Sequence, residues 1–153
     1  MRISLGYPDA EHEKQLLLAG DARAQLAGIA PQVSADTLRS LQREAMAVQT
    51  SAPLVAYIHR LLVATRTGAN GFGHGLSPRA GLALVAASRA YAYLSGQSYV
   101  APDDVQAVFG AVASHRLPGG DEAVRRVVEA VPVKLESRKE IKHISDKSFI
   151  RVP

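Results

Sequence analysis

Apolar residues recur every three to four positions along most of this chain, the spacing of helices that bury one face. Leu38, Leu41, Ala45 and Val48 follow that period behind Ser34, a good helix cap. Leu54, Ile58, Leu61, Leu62 and Thr65 make a second stripe, in a helix that Ser51 caps and that ends near Arg66. Pro53 is tolerated in its first turn. Ser77-Pro78 opens a third helix, running to about Ser95 and stopped by Gly96. Leu84, Ala87, Tyr91 and Leu94 mark one of its faces, and Ala80, Ala83, Ala86, Ala90 and Ala92 fill in around it. A helix with such small sides is expected to be central, with neighbours approaching closely. Val105, Val108, Phe109 and Val112 follow Pro102-Asp103-Asp104, and acidic residues in a first turn suit the helix dipole. Val124, Val127, Val128 and Val131 form the last stripe, which Asp121 can cap and Pro132 stops.

The polar and glycine-rich stretches set the joints. Arg2-Ile3-Ser4-Leu5 alternates like a short strand or an extended linker, and Gly6-Tyr7-Pro8 breaks it. Asp9 can cap a helix through about Ala19, with Gly20 as its stop. Residues 21–33 read as irregular or partly helical, because Pro31 bars a continuous helix. Residues 67–76 hold four glycines and read as a loop. The expected fold is all-α: a small bundle of five to six helices, with at most a short extended segment at the N-terminus.

Composition sharpens this. Hydrophobic residues make up 47% of the 153 residues but aromatics only 5%, so the core is aliphatic. There is no cysteine, which excludes disulfides and thiolate metal sites. No run of about 18 apolar residues occurs, so no membrane span is expected. No signal pattern opens the chain, and a cytoplasmic protein is the default expectation. The net charge is +4. Residues 134–153 carry six basic and three acidic side chains, leaving only +1 on residues 1–133. The basicity belongs to the tail and argues weakly for nucleic-acid binding by the body.

The candidate chemistry centres on Ser77-Pro78-Arg79. An arginine in the first turn of a helix sits where backbone N–H groups are unpaired and the dipole is positive, which suits a phosphate. Arginine stays charged and presents a planar fork to phosphate oxygens. Yet no Gly-x-x-x-x-Gly-Lys-Ser/Thr loop occurs anywhere. The glycine loop at 67–76 could form a phosphate nest but lacks that continuation, and reads as a surface loop. His12, His59, His74, His115 and His143 are scattered, without metal-site spacing. Asp103 and Asp104 are adjacent and cannot face each other on a helix, which leaves them capping and dipole roles. Arg89, mid-helix among small apolar residues, needs an acidic partner or carbonyls.

Several segments then align with one family. Gly6-Tyr7-Pro8-Asp9, Tyr57-Ile58 with Ala64-Thr65-Arg66, Gly75-Leu76-Ser77-Pro78-Arg79-Ala80 and Ser88-Arg89-Ala90 form the first half of the pattern. Tyr99-Val100-Ala101-Pro102-Asp103-Asp104-Val105 and His115-Arg116-Leu117 complete it. In order and spacing, residues 3–133 resemble the C-terminal lid of MoxR-type AAA+ ATPases. The resemblance implies a lid that packs over a nucleotide held by a larger α/β core, with ATP and Mg as cofactors of the full-length protein. It implies that Arg79 is the sensor-2 arginine aimed at the terminal phosphates. Ser77 would shape that helix start, and Tyr7 and Pro8 would belong to a hinge near the adenine. Its implied partners are the protein's own core, neighbouring subunits of a ring and von Willebrand A domain proteins matured by chaperone-like remodelling; no membrane or nucleic acid is implied. Gln97 stands where many relatives have a basic residue.

The sequence lacks Walker A and Walker B elements, so hydrolysis by this chain alone is not expected. Residues 1–8 are expected to be the linker from an ATPase core, 9–133 the helical lid, and 134–153 a charged tail, disordered or a cloning remnant. Two other classes fit the helical pattern: a basic helical DNA-binding module, and a helical domain that docks a partner protein. A body charge of +1 offers little phosphate neutralisation to the first of these.

Overall fold

The computed structural model describes residues 1–20, 26, 28–67 and 75–133. The expectations for the loop at 68–74 and the tail at 134–153 lie outside the described residues, as do His74 and His143. The described residues form six α-helices: α1 (Ala10–Ala19), α2 (Ala35–Ala47), α3 (Ala52–Arg66), α4 (Pro78–Leu94), α5 (Pro102–Ala113) and α6 (Gly120–Ala130). A short 3-10 turn, Ser114–Arg116, joins the last two. The only pairing outside helices among the described residues is an isolated parallel bridge between Gln49 and Tyr99. The all-α bundle is as expected.

Local chemistry explains the helix limits. Asp9, Ser34, Ser51 and Ser77 each accept a hydrogen bond from a backbone N–H in the first turn that follows. Asp104 reaches back to accept from the Ala101 N–H at 2.7 Å, fixing the start of α5. At the far end of α4 the Gly96 N–H donates to Tyr93 O and the Gln97 N–H to Ala92 O, both at 2.9 Å. With Gly96 at φ +71°, this is a Schellman stop. Asp121 does not cap α6. Gly119, at φ 94°, turns the chain into that helix, and Asp121 lies in the first turn, where its charge complements the dipole.

The core is aliphatic around two rings, Tyr57 and Phe109, and draws on α3 through α6. All five stripe residues predicted on α3 are buried, joined by Tyr57, as are Val105, Val108, Phe109 and Val112 on α5. Each large apolar side chain so placed contributes roughly 1.5–3 kcal/mol. On α4 the buried line is Ala80, Gly81, Leu84, Ser88 and Ala92, whereas Tyr91 and Leu94 are exposed. The larger side chains yield the inner face to small ones because α3, α2 and α5 all pack on this helix. A Cβ on Gly81 would lie 2.7 Å from Leu62 Cδ1, which measures how closely α3 and α4 approach. Ser88 survives at zero exposure because its hydroxyl donates to Leu84 O at 2.9 Å.

Polar cross-links tie the outer layer. The Gln49 N–H donates to Ser98 O, and the Val100 N–H to Gln49 O, stitching the α2–α3 link to the α4–α5 link. Arg89 Nε donates to Thr50 Oγ1 at 2.9 Å, so its partner is a hydroxyl where an acid or carbonyl was expected. The Tyr93 hydroxyl donates to Glu44 Oε2 at 2.6 Å. That bond holds the Glu44 carboxyl below its ordinary range, helped by Ser40, and pushes the Tyr93 phenol up. Gln106 donates to the hydroxyl of buried Tyr57 at 2.9 Å.

The first 33 residues differ. Every described residue from 1 to 33 is exposed, and α1 buries nothing. Leu17 and Leu18 stand 80% and 88% exposed. Residues 2–5 form neither helix nor strand, and the Arg2 N–H donates to Ala111 O at 2.7 Å.

Candidate functional site

The start of α4 is built from its neighbours. The last turn of α3 carries Thr65, 1% exposed, and Arg66. The Thr65 hydroxyl donates to Leu62 O at 2.6 Å and accepts from the Leu76 N–H at 2.9 Å. Arg66 Nε donates to Leu76 O, also at 2.9 Å. Both backbone groups of Leu76 are therefore held by consecutive residues of α3, and its side chain is buried. Gly75 makes this approach possible: a Cβ there would lie 2.5 Å from Thr65 O.

One residue further, Ser77 takes an extended conformation and its hydroxyl accepts from the Ala80 N–H at 3.3 Å. The Gly81 N–H donates to Ser77 O. Pro78 has no N–H to offer. The first turn of α4 thus retains one open amide, that of Arg79 itself, among the described residues. The Arg79 side chain is exposed, and among the described residues it enters no hydrogen bond or ion pair. The first turn of α4 thus presents one amide and one guanidinium that are unengaged among the described residues.

Ser77 and Arg79 are brought together by this geometry. Tyr7 and Pro8 are not joined to them by any hydrogen bond or ion pair among the described residues. Tyr7 is 99% exposed and lies just before α1. Gly6, just ahead of it, takes a positive φ of 71°. No group of three or more His, Asp or Glu able to hold a metal ion occurs among the described residues. His115 lies beside Arg116, whose Nε points at His115 Nε2 at 3.2 Å. Desolvation, then Arg116 and Arg2, hold its imidazole below the ordinary histidine range. Asp104 is occupied as a cap, as its position in the first turn suggested.

The sequence placed Thr65 in a buried stripe and gave no task at this site to Arg66 or Gly75. The usable signal was a glycine two residues before a helix cap, facing a threonine at the end of the preceding helix.

Residues 64–134 match the family of the AAA lid domain. This chain carries an AAA lid domain. The matched stretch takes in the last turn of α3, the Leu76 link, Ser77-Pro78-Arg79 and everything through α6. The lid is also similar to Chaperone MoxR1 of Mycobacterium tuberculosis, at 35% identity over 125 residues, 76% of this chain and 32% of that protein. It is 27% identical over 150 residues to the uncharacterized protein YeaC of Bacillus subtilis, covering 98% of this chain and 47% of that one. A crystal structure from Cytophaga hutchinsonii, named a "putative ATPase", matches with TM-score 0.57 and 26% identity over 97% of this chain and 45% of that one. The lid is of the MoxR type. The chain spans about a third to a half of the length of the relatives it matches. No helix among the described residues is long and apolar enough to cross a membrane.

Proposed function

We propose that this lid senses nucleotide for a MoxR-type AAA+ ATPase, closing over ATP and Mg bound by a core domain. The observation that carries the reading is Arg79: exposed, unengaged among the described residues, and set in the first turn of a helix whose start is anchored to α3. A guanidinium left uncommitted in this way is suited to a ligand that the rest of the site supplies. Its contact to the terminal phosphate exists with ATP and vanishes after hydrolysis, and that difference is what moves the lid. Ser77 sets the helix start, and Gly6-Tyr7-Pro8 acts as the hinge, with Tyr7 and Pro8 near the nucleotide base.

In this reading residues 1–8 link core to lid and 9–133 form the lid. The exposed Leu16, Leu17 and Leu18 of α1 support docking against the core, because apolar side chains grouped in this way mark an interface. Rotation of the lid passes to the next subunit of a ring and drives chaperone-like maturation of partners, von Willebrand A domain proteins among them, in the cytoplasm. The test is Arg79→Ala in the full-length polypeptide that carries this lid. ATP turnover falls by about 10²-fold, the scale of losing one preorganised electrostatic contact to transferring charge. Turnover equal to that of the unsubstituted protein refutes the assignment.

A further inference from the structure

The two hydrogen bonds on Leu76 have a consequence for Arg79. We infer that Thr65 and Arg66 are positioning residues, which set where the Arg79 guanidinium stands by fixing the register of α4 against α3. The inference rests on Arg79 being the phosphate contact.

The connection from α3 to α4 spans residues 67–77, and it is closed at its base. Thr65 Oγ1 accepts from the Leu76 N–H and Arg66 Nε donates to the Leu76 carbonyl, each at 2.9 Å. The Thr65 hydroxyl is itself aimed by its bond to Leu62 O. Leu62 is also the side chain that packs on Gly81, inside the first turn of α4. The C-terminal two turns of α3 therefore hold the start of α4 at two points, one just before the Ser77 cap and one at Gly81, two residues after Arg79. Ser77, next to Leu76, is bonded through its hydroxyl to the Ala80 N–H and through its carbonyl to the Gly81 N–H, so displacement of Leu76 is carried through the cap into the first turn, where Arg79 stands.

Beyond stabilising the fold, such a register serves a guanidinium that must reach a phosphate at a defined place. Misplacing a contact by about 1 Å costs on the order of 10²-fold in rate, and the partial slip from losing one of two tethers costs about tenfold. A purely structural threonine would lower stability without caring whether Arg79 is present.

The experiment is a double-mutant cycle on ATP turnover by the full-length polypeptide, combining Thr65→Val or Arg66→Lys with Arg79→Ala. Thr65→Val keeps the shape and removes the hydroxyl. Arg66→Lys keeps the charge and removes the Nε donor, at a side chain exposed enough to leave folding intact should Thr65→Val not fold. The expected result is about a tenfold loss of turnover for each alone, and less than about a twofold further loss once Arg79 is already alanine, because residues acting as a unit are not additive. Thr65→Ser, which keeps the hydroxyl, stays within about twofold of the unsubstituted protein. Equal losses with and without Arg79, or no loss in either background, overturn the positioning role and leave Arg79 in place. If Arg79→Ala alone leaves turnover unchanged, the phosphate-contact reading fails first, and this inference with it.

Discussion

Replacing Gly75 with alanine tests the anchored start of α4 through the sign of a stability change. At a position with no crowding, Gly→Ala stabilises by about 0.4–1 kcal/mol, because the unfolded chain loses freedom. At Gly75 the added Cβ would sit 2.5 Å from Thr65 O and 2.6 Å from Thr65 C. Both are backbone atoms in the last turn of α3 and cannot swing aside. Reaching ordinary contact, about 3.4 Å, requires the chain to retreat by roughly 0.9 Å, which stretches both 2.9 Å hydrogen bonds on Leu76 beyond useful length. Overpacking costs about 1–3 kcal/mol. A buried N–H losing its partner costs a further ~1–3 kcal/mol. Allowing for partial relaxation and the entropic gain, Gly75→Ala should destabilise by about 2–3 kcal/mol. Urea unfolding of this chain, followed by far-ultraviolet circular dichroism, reads it directly. In a chain of this size the melting temperature should fall by roughly 5–10 °C. Gly110→Ala is the control, since nothing lies within 4 Å of its added Cβ and it sits inside α5. That variant should gain about 0.5–1 kcal/mol. A Gly75→Ala protein as stable as the parent refutes the close approach of α3 and Leu76.

Two further predictions concern other joints. Asp104→Ala removes the acceptor of the Ala101 N–H and should cost about 0.5–2 kcal/mol, whereas Asp104→Asn should recover most of it; the same urea titration distinguishes them. Tyr93→Phe should flatten the pH dependence of stability at both extremes. The lowered Glu44 carboxyl stabilises the fold above its unfolded range, and that is lost as pH falls through the folded value. The raised Tyr93 phenol stabilises it below the ordinary tyrosine range, and that is lost as pH rises through the folded value. Melting temperatures across pH show whether both wings respond to the one substitution; two unchanged wings contradict the Tyr93–Glu44 bond.

Much of this fold could be read from spacing and caps. Asp9, Ser34, Ser51 and Ser77 announce their helices because a small polar side chain at that place satisfies an otherwise orphaned N–H, a purely local effect. The stripes on α3 and α5 were legible because large apolar residues recur there at a single period. On α4 the same logic picked Tyr91 and Leu94, which are exposed, over Gly81, Ser88 and Ala92, which are buried. With three helices packed around it, α4 admits small side chains where it is most crowded, and hydrophobic size no longer reports burial. Asp121 looked like a cap, but the left-handed Gly119 had already turned the chain. At the site, Arg79 was visible through its helix start. Its supports were not, because the bonds from Thr65 and Arg66 to Leu76 close over ten or eleven residues and use backbone atoms that carry no sequence signature. The Thr50 hydroxyl as partner of Arg89, 39 residues away in sequence, was beyond reach for the same reason.

The central claim is that Arg79 distinguishes a nucleotide with a terminal phosphate from one without it. Equilibrium binding of ATP and of ADP to the full-length polypeptide, compared between the parent and Arg79→Ala, tests this most directly. A charge-assisted contact of about 1.5–3 kcal/mol corresponds to roughly 10- to 150-fold in affinity, and the account predicts that loss for ATP with ADP affinity nearly unchanged. Equal weakening of both nucleotides, or of neither, would contradict it.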